Sequence, residues 1–268
     1  MDMASCRGGF GEVNEIFMRH IVIGDIHGCI DELKLLIQKL ELQQDDHLYF
    51  IGDLIDRGPD SAGVVKYVRA LSEKYSVVLI LGNHEEKFLR YLDHKRFNVS
   101  AIKNMKGTEK FEELMLHLDD ADIEFLSSAY INYNISSQNI CLVHGGIPGN
   151  NKIDLSINHQ YFHDLIKSNK GLELLLKTRF LDASGNFISL GQENEKSIFW
   201  ADNYDGKFGK IIFGHHAIIA DRPVEFKHAI NIDNGCVYGG SLSAFMINSD
   251  STINYNSIKS NQEYYERK

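Results

Sequence analysis

The stretch His20-Ile21-Val22-Ile23-Gly24-Asp25-Ile26-His27-Gly28 decides the fold of this chain. A short apolar run halted by a glycine reads as a buried strand. The pattern returns twice, over 47–51 before Gly52 and Asp53, and over 77–81 before Gly82 and Asn83. Between the first two runs, Ile30, Leu33, Leu36, Ile37 and Leu40 recur at helical spacing. Val64, Val65, Val68 and Leu71 mark a second helix, and a third is expected from about His84 to Leu92. Strands alternating with helices imply parallel strands joined by crossover helices, an α/β layer structure.

Outward from this core the pattern changes. Residues 93–131 are expected to be largely helical and polar, as the spacing of Phe111, Leu114, Met115 and Leu118 illustrates. Strand character returns at 139–143, and a second mostly helical stretch is expected over 154–177. Short strands are expected near 210–213, 229–232, 242–247 and 252–255. The implied organisation is a flexible leader over 1–18, rich in glycine at Gly8, Gly9 and Gly11, and one domain over 19–258. Helical insertions occupy about 93–135 and 149–180, and 259–268 form a polar tail.

Composition narrows the class. The chain has 268 residues, 43% of them hydrophobic, enough for one large domain with a full core. Lys plus Arg number 28 against 37 Asp plus Glu, a net charge of −9. That balance disfavours a stable nucleic-acid or anionic-membrane binder, whose affinity comes from neutralising phosphates with cations. Cys6, Cys29, Cys141 and Cys236 lie far apart without a Cys-x-x-Cys pair, so they read as reduced thiols of a cytoplasmic protein. No stretch approaches the length of a membrane span, and residues 1–18 lack the apolar core of a signal peptide.

The chemistry sits where the strands end. In a parallel sheet the carboxyl ends of neighbouring strands share one edge, where ligands bind. Asp25, His27, Asp53 and Asn83 should therefore converge, although 28 residues separate Asp25 from Asp53 and 30 separate Asp53 from Asn83. Val143-His144-Gly145-Gly146 and Phe213-Gly214-His215-His216 repeat the arrangement of apolar strand followed by His beside Gly. Carboxylate, carboxamide and imidazole together suit first-row divalent ions. Asp53 has two oxygens and can bridge two ions about 3.5–4 Å apart, between which water ionises near neutral pH and becomes a nucleophile. Arg57 can grip phosphate oxygens through its planar fork. His84 can protonate a leaving oxygen, with Asp56 orienting it. Glu85 and Glu86 fit the favourable carboxylates of a helix N-terminus.

Taken together, Gly24-Asp25-Ile26-His27-Gly28, Gly52-Asp53-Leu54-Ile55-Asp56-Arg57-Gly58, Gly82-Asn83-His84-Glu85, His144-Gly145-Gly146 and Gly214-His215 resemble the motifs of the calcineurin-like metallophosphoesterases. The match is best to their phosphoprotein phosphatase superfamily. The resemblance implies a four-layer α/β/β/α fold of two mixed sheets between helices. It also implies two divalent ions, Mn²⁺ foremost, with Fe, Zn or Co as alternatives. One ion would be held by Asp25 and His27, the other by Asn83, His144 and His215, with Asp53 between them. His84, Asp56 and Arg57 would be catalytic, and Arg57, Asn83 and a second arginine would hold phosphate. Arg179 is the candidate for that second cation, ahead of Arg222 and Arg69; His216 is not expected to be a ligand. Ala217 stands where many phosphodiesterases of this fold carry a second His, which points towards the phosphatase side.

The segment from Asn231 to Ala244, with Asp233-Asn234-Gly235-Cys236-Val237-Tyr238-Gly239-Gly240 at its centre, is similar to a bacterial subgroup. That subgroup holds symmetrical diadenosine tetraphosphatases, and small Ser/Thr phosphatases resemble it less closely. Gly28-Cys29 and Phe199-Trp200-Ala201-Asp202 fit it too. The expectation is a hydrolase of phosphoanhydrides in dinucleoside polyphosphates. The alternatives are a Ser/Thr or dual-specificity protein phosphatase with the same site, an RNA-end phosphatase, and an inactive phosphate-binding module. Fold and metal site do not separate the first two, because acceptance is decided by surrounding loops. An aromatic clamp such as Tyr204 or Phe208 would favour the nucleotide.

Overall fold

A computed structural model describes residues 18–149, 154–161, 166 and 168–267. Residues 1–17 of the expected leader therefore lie outside the described residues, as do 162–165 and 167 of the second expected helical stretch.

The opening alternation is realised as β1 (His20–Ile23), α1 (Ile30–Leu40), β2 (His47–Phe50), α2 (Ser61–Ser72) and β3 (Ser76–Leu79). These strands run parallel, β1 beside β2 and β2 beside β3. Helix α3 (Asn83–Phe97) runs five residues past its expected end, and α4 (Val99–Ile102), α5 (Glu109–His117) and α6 (Asp120–Ser127) follow. The helical stretch stops earlier than expected. Tyr130–Ile135 is a strand, β4, paired antiparallel with β5 (Ile140–Val143). Its Tyr and Ile residues favour a paired, half-buried surface over a helix.

The chain continues through β6 (His159–Gln160), α7 (Lys170–Leu174), β7 (Phe180–Leu181), β8 (Phe187–Ile188), β9 (Ile198–Phe199) and α8 (Trp200–Asn203). It then forms β10 (Lys210–Phe213), β11 (Val224–Glu225), β12 (Ala229–Asn231), β13 (Asp233–Asn234), β14 (Ser241–Ile247) and β15 (Ile253–Lys259). One sheet is ordered β13-β14-β1-β2-β3, with β15 beside β14; the other is β11-β12-β10-β5-β4-β6. Both mix parallel and antiparallel pairs. A small third sheet, β8-β7-β9, lies between residues 180 and 199 and had no counterpart in the sequence pattern.

Period-two alternation sorts side chains between layers. Val22, Tyr49 and Ile51 of the first sheet share a core with Leu142, Ile212 and Ile230 of the second. Their neighbours Ile21, Ile23, Leu48 and Phe50 pack with Leu33 and Leu36 of α1. On the second sheet Cys141, Val143, Ile211 and Phe213 likewise turn away from the inter-sheet core, Phe213 against Trp200 of α8. Two sheets face each other with helices outside, the four-layer arrangement that the resemblance implied. It sets the carboxyl ends of β1, β2, β5 and β10 around one edge, and α3 begins there.

The chain end is also placed. The N–H groups of Tyr264 and Tyr265 donate to Val237 O, and Glu32 Oε1 accepts from Asn261 N and the Tyr264 hydroxyl, each at 2.9 Å. The Tyr265 ring then meets Tyr238, with centroids 6.4 Å apart.

Candidate active site and metal centre

Each loop at this edge turns sharply. His27, Asp53, Asp56, Arg57 and His215 all have φ between 48° and 72°, in the left-handed region that side chains rarely adopt. Such conformations persist only where the surroundings enforce them, and they concentrate at functional sites. Here the enforcement is visible. The N–H groups of Ile26 and His27 both donate to Asp53 O, and Gly28 N donates to Leu54 O, lacing the first loop to the second. At Gly214 a methyl group would fall 1.9 Å from Asp25 Oδ1, so only glycine lets β10 end against that carboxylate.

Asp53 is the hub. It is buried, and its Oδ2 lies 3.4 Å from His27 Nε2 and 3.3 Å from His144 Nε2. Two groups of donor atoms, each within 4.8 Å of one another, share it: His27–Asp53–His84 and Asp53–His144–His215. Asn83 joins the second through its Oδ1, 3.1 Å from His144 Nε2. Asp25 belongs to neither group, but its Oδ2 accepts the His215 N–H at 3.0 Å, which ties β1 to the end of β10. All six expected ligands thus meet at one edge, four from the first sheet and two from the second.

The tautomers suit ligation. His27 Nδ1 lies 3.0 Å from Ile55 O and His144 Nδ1 lies 2.8 Å from Ile51 O. A carbonyl can only accept, so each Nδ1 carries the proton and each Nε2 is turned inward, the usual carbonyl support of a metal-bound imidazole. His215 Nε2 and Asp25 Oδ1 are buried without a hydrogen-bond partner. Unpartnered buried donors and acceptors of this kind are costly, and a divalent cation would satisfy them. The donor set therefore fits a dinuclear centre.

Electrostatics favour the neutral, ligating form at two of the three imidazoles. Burial lowers the His27 pKa to about 3, and the Arg57 charge pushes the same way. Burial also lowers that of His215, with Arg179 beside it. Burial would lower His144 too, yet the Asp53 charge and hydrogen bond override it and raise the imidazole to about 9. Burial opposes ionisation of Asp53, but His144 and His84 hold it well below the usual carboxylate range.

The catalytic candidates form one chain of contacts. His84 Nδ1 lies 2.9 Å from Asp56 Oδ2. Arg57 spans two imidazoles, with Nη2 2.9 Å from His84 Nε2 and Nη1 bonded to His27 Nε2. A guanidinium only donates, so both Nε2 atoms accept and His84 gives its Nδ1 proton to Asp56. Arg179 Nη2 donates to His215 O at 3.2 Å, which brings a second cation to the opposite side. The other arginines considered lie elsewhere: Arg69 pairs with Asp122 and Asp119, and Arg222 is exposed in the segment before β11. His216 packs its ring on Phe180 and Phe199. Tyr204 packs on Trp200 and bonds within the 204–209 turn; the aromatic ring at the site is Tyr238 instead, with the Arg57 guanidinium 5.6 Å from its centroid.

Two side chains at the site escaped sequence reasoning. Glu85, expected only to favour the helix dipole, is fully buried. It accepts the N–H groups of Asp53 at 2.7 Å, Gly82 at 3.2 Å and Ile55 at 3.1 Å. Lys110 of α5 reaches Asp56 Oδ1 at 3.3 Å. The motif Gly82-Asn83-His84-Glu85 held a signal for the first; nothing local marks the second.

A buried carboxylate shared between imidazole clusters, with two arginines and a carboxylate-held histidine alongside, defines a metal-dependent phosphoester hydrolase. The chain belongs to the calcineurin-like phosphoesterase family, whose model matches residues 18–235. It is 32% identical over 259 residues to the asymmetrical bis(5'-nucleosyl)-tetraphosphatase PrpE of Bacillus velezensis, covering 92% of this chain and 95% of that one. To the symmetrical bis(5'-nucleosyl)-tetraphosphatase of Pseudomonas entomophila it is 26% identical, covering 87% and 92%. Among solved structures, one provisionally assigned as a diadenosine tetraphosphatase superposes with a TM-score of 0.67 at 25% identity, over 90% of this chain and 93% of that one. A serine/threonine phosphatase of Saccharomyces cerevisiae shares the fold, with a TM-score of 0.60 at 17% identity over 93% and 82%. Members of this family bind two divalent ions. No helix among the described residues is long and apolar enough to cross a membrane.

Proposed function

We propose that the chain hydrolyses dinucleoside tetraphosphates, with Mn²⁺ as the preferred ion at both positions. The observation that carries this reading is the sharing of Asp53 between two imidazole clusters. Similarity to tetraphosphatases across nearly whole chains supports the substrate class.

Asp25 and His27 would hold one ion, Asn83, His144 and His215 the other, and Asp53 both. When bound, the ions supply Lewis acidity and a water acidic enough to attack phosphorus near neutral pH. The chain's own residues do the rest. Arg57 and Arg179 approach the site from two sides and hold the non-bridging oxygens of the reacting phosphate, with the Asn83 amide beside them. As Arg57 turns to the phosphate it frees His84 Nε2 to take up a proton from solvent, which the ring then gives to the oxygen leaving phosphorus. Asp56 holds the other ring nitrogen and balances the charge that His84 carries before transfer.

The test is turnover by metal-stripped protein reloaded with Mn²⁺, on diadenosine tetraphosphate and on a phosphoserine peptide, with products separated by chromatography. ADP alone reports symmetrical cleavage, and ATP with AMP reports asymmetrical cleavage; either supports the reading. Preference for the peptide overturns it in favour of a protein phosphatase.

A further inference from the structure

The side chain of Lys110 is 62% exposed, yet two contacts set its place. Its Nζ lies 3.3 Å from Asp56 Oδ1 and 5.5 Å from the centre of the Tyr265 ring. Beside it opens a cavity of about 580 Å³, walled by the 55–63 loop and the first turns of α2 on one side and by α5 on the other. That volume falls in the range of small-molecule pockets, about 300–1,000 Å³. Phe111 and Leu114 give it an apolar wall, and Lys66, Lys110 and His117 stand along it. Asp56 and Arg57 of the reaction site line it too.

The carboxylates of this cavity are mostly committed. Asp56 is held by His84 and Lys110. Asp60 accepts the Gly63 N–H at 2.7 Å as the cap of α2. Glu113 is the third. What the cavity offers is an apolar face for a flat ring and lysines for phosphate oxygens, the chemistry of a nucleotide.

Its position selects which nucleotide. Water attacks phosphorus, the bond from phosphorus to the bridging oxygen breaks, and that oxygen takes the electron pair and the proton of His84. The leaving group therefore lies on the side of His84 and its partner Asp56, and Asp56 forms the cavity wall. We propose that this cavity binds the nucleotidyl group that departs, with Lys110 exchanging its Asp56 contact for that group's phosphates. The inference rests on the dinucleoside polyphosphate reading given above.

The experiment compares kcat/KM for diadenosine tetraphosphate with kcat/KM for p-nitrophenyl phosphate, whose leaving group lacks the phosphates and nucleoside that would fill the cavity. The Mn²⁺-loaded enzyme is used as wild type, Lys110→Ala and Ala62→Phe, the latter projecting from α2 into the cavity. The ratio of the two constants is expected to fall by about tenfold or more in each variant, since each good charged contact contributes a factor of that order. Ratios within about twofold of wild type in both variants overturn the subsite while leaving the substrate reading intact. Equal falls on both substrates also overturn it, and assign Lys110 to support of Asp56 alone. A wild-type enzyme that leaves diadenosine tetraphosphate uncleaved overturns both.

Discussion

Glu85 Oε2 accepts the backbone N–H of Asp53 at 2.7 Å, so a residue in the first turn of α3 fixes the loop that carries the shared metal ligand. The same carboxylate takes the N–H of Ile55 and of Gly82, and therefore holds the loop after β2 and the start of α3 in one grip. Glu85→Gln replaces one acceptor oxygen with a donor. One of the three bonds must then be lost and a donor set against a donor, a cost of about 1–3 kcal/mol. A lowered Tm and weaker metal retention are expected. An unchanged metal content measured by atomic absorption would show that the loop holds its shape without Glu85.

His84 and Asp53 separate chemistry from metal binding. His84→Asn is expected to lower kcat by about 10²–10⁴ while both ions stay bound. Asp53→Asn weakens both positions, and activity recovers in part at high Mn²⁺. Full activity of His84→Asn on every substrate would sink the proton-donor assignment.

Metal affinity should depend on pH through His144. In the metal-free fold Asp53 raises this imidazole from 6.5 to about 9. The folded value lies above the unfolded one, so this stabilising contribution is fully present below about 6.5 and is lost as pH rises through about 9. Ligation needs the neutral ring and must displace that proton. Apparent Mn²⁺ affinity should therefore climb about tenfold per pH unit between pH 7 and pH 9. Titration calorimetry in buffers of different ionisation enthalpy reads the proton released; no release at pH 7 would contradict the His144–Asp53 coupling.

Gly214→Ala probes packing at the end of β10. Its new methyl would sit 1.9 Å from Asp25 Oδ1 and must push that carboxylate aside. Loss of activity and of metal is expected, with far-UV circular dichroism retained. Normal metal content in this variant would mean that Asp25 is not a ligand.

How much of this was legible in the sequence follows from range. Asp25, Asp53 and Asn83 were legible because each follows a glycine that ends an apolar run, and a parallel sheet aligns such ends. His144 and His215 repeat the device on the second sheet. β4 was not, because 130–135 alternates polar and apolar residues too loosely to stand out behind three helices; its strand character comes from pairing with β5. The two-residue strands of the third sheet carry no period at all. Lys110 meets Asp56 across 54 residues, and Tyr265 meets Tyr238 where Glu32 and Val237 O anchor residues 261–265.

The expected ligands span 190 residues, from Asp25 to His215, and come from both sheets. Four of them fall within residues 25–83, but the centre is complete only when His144 and His215 join from the second sheet, and loop-closure entropy must be overcome before such distant groups meet. The left-handed turns at His27, Asp53 and His215 add to that cost until both sheets are in place. On refolding, secondary structure should return first and catalysis last, so turnover in this chain reports that the whole molecule has come together.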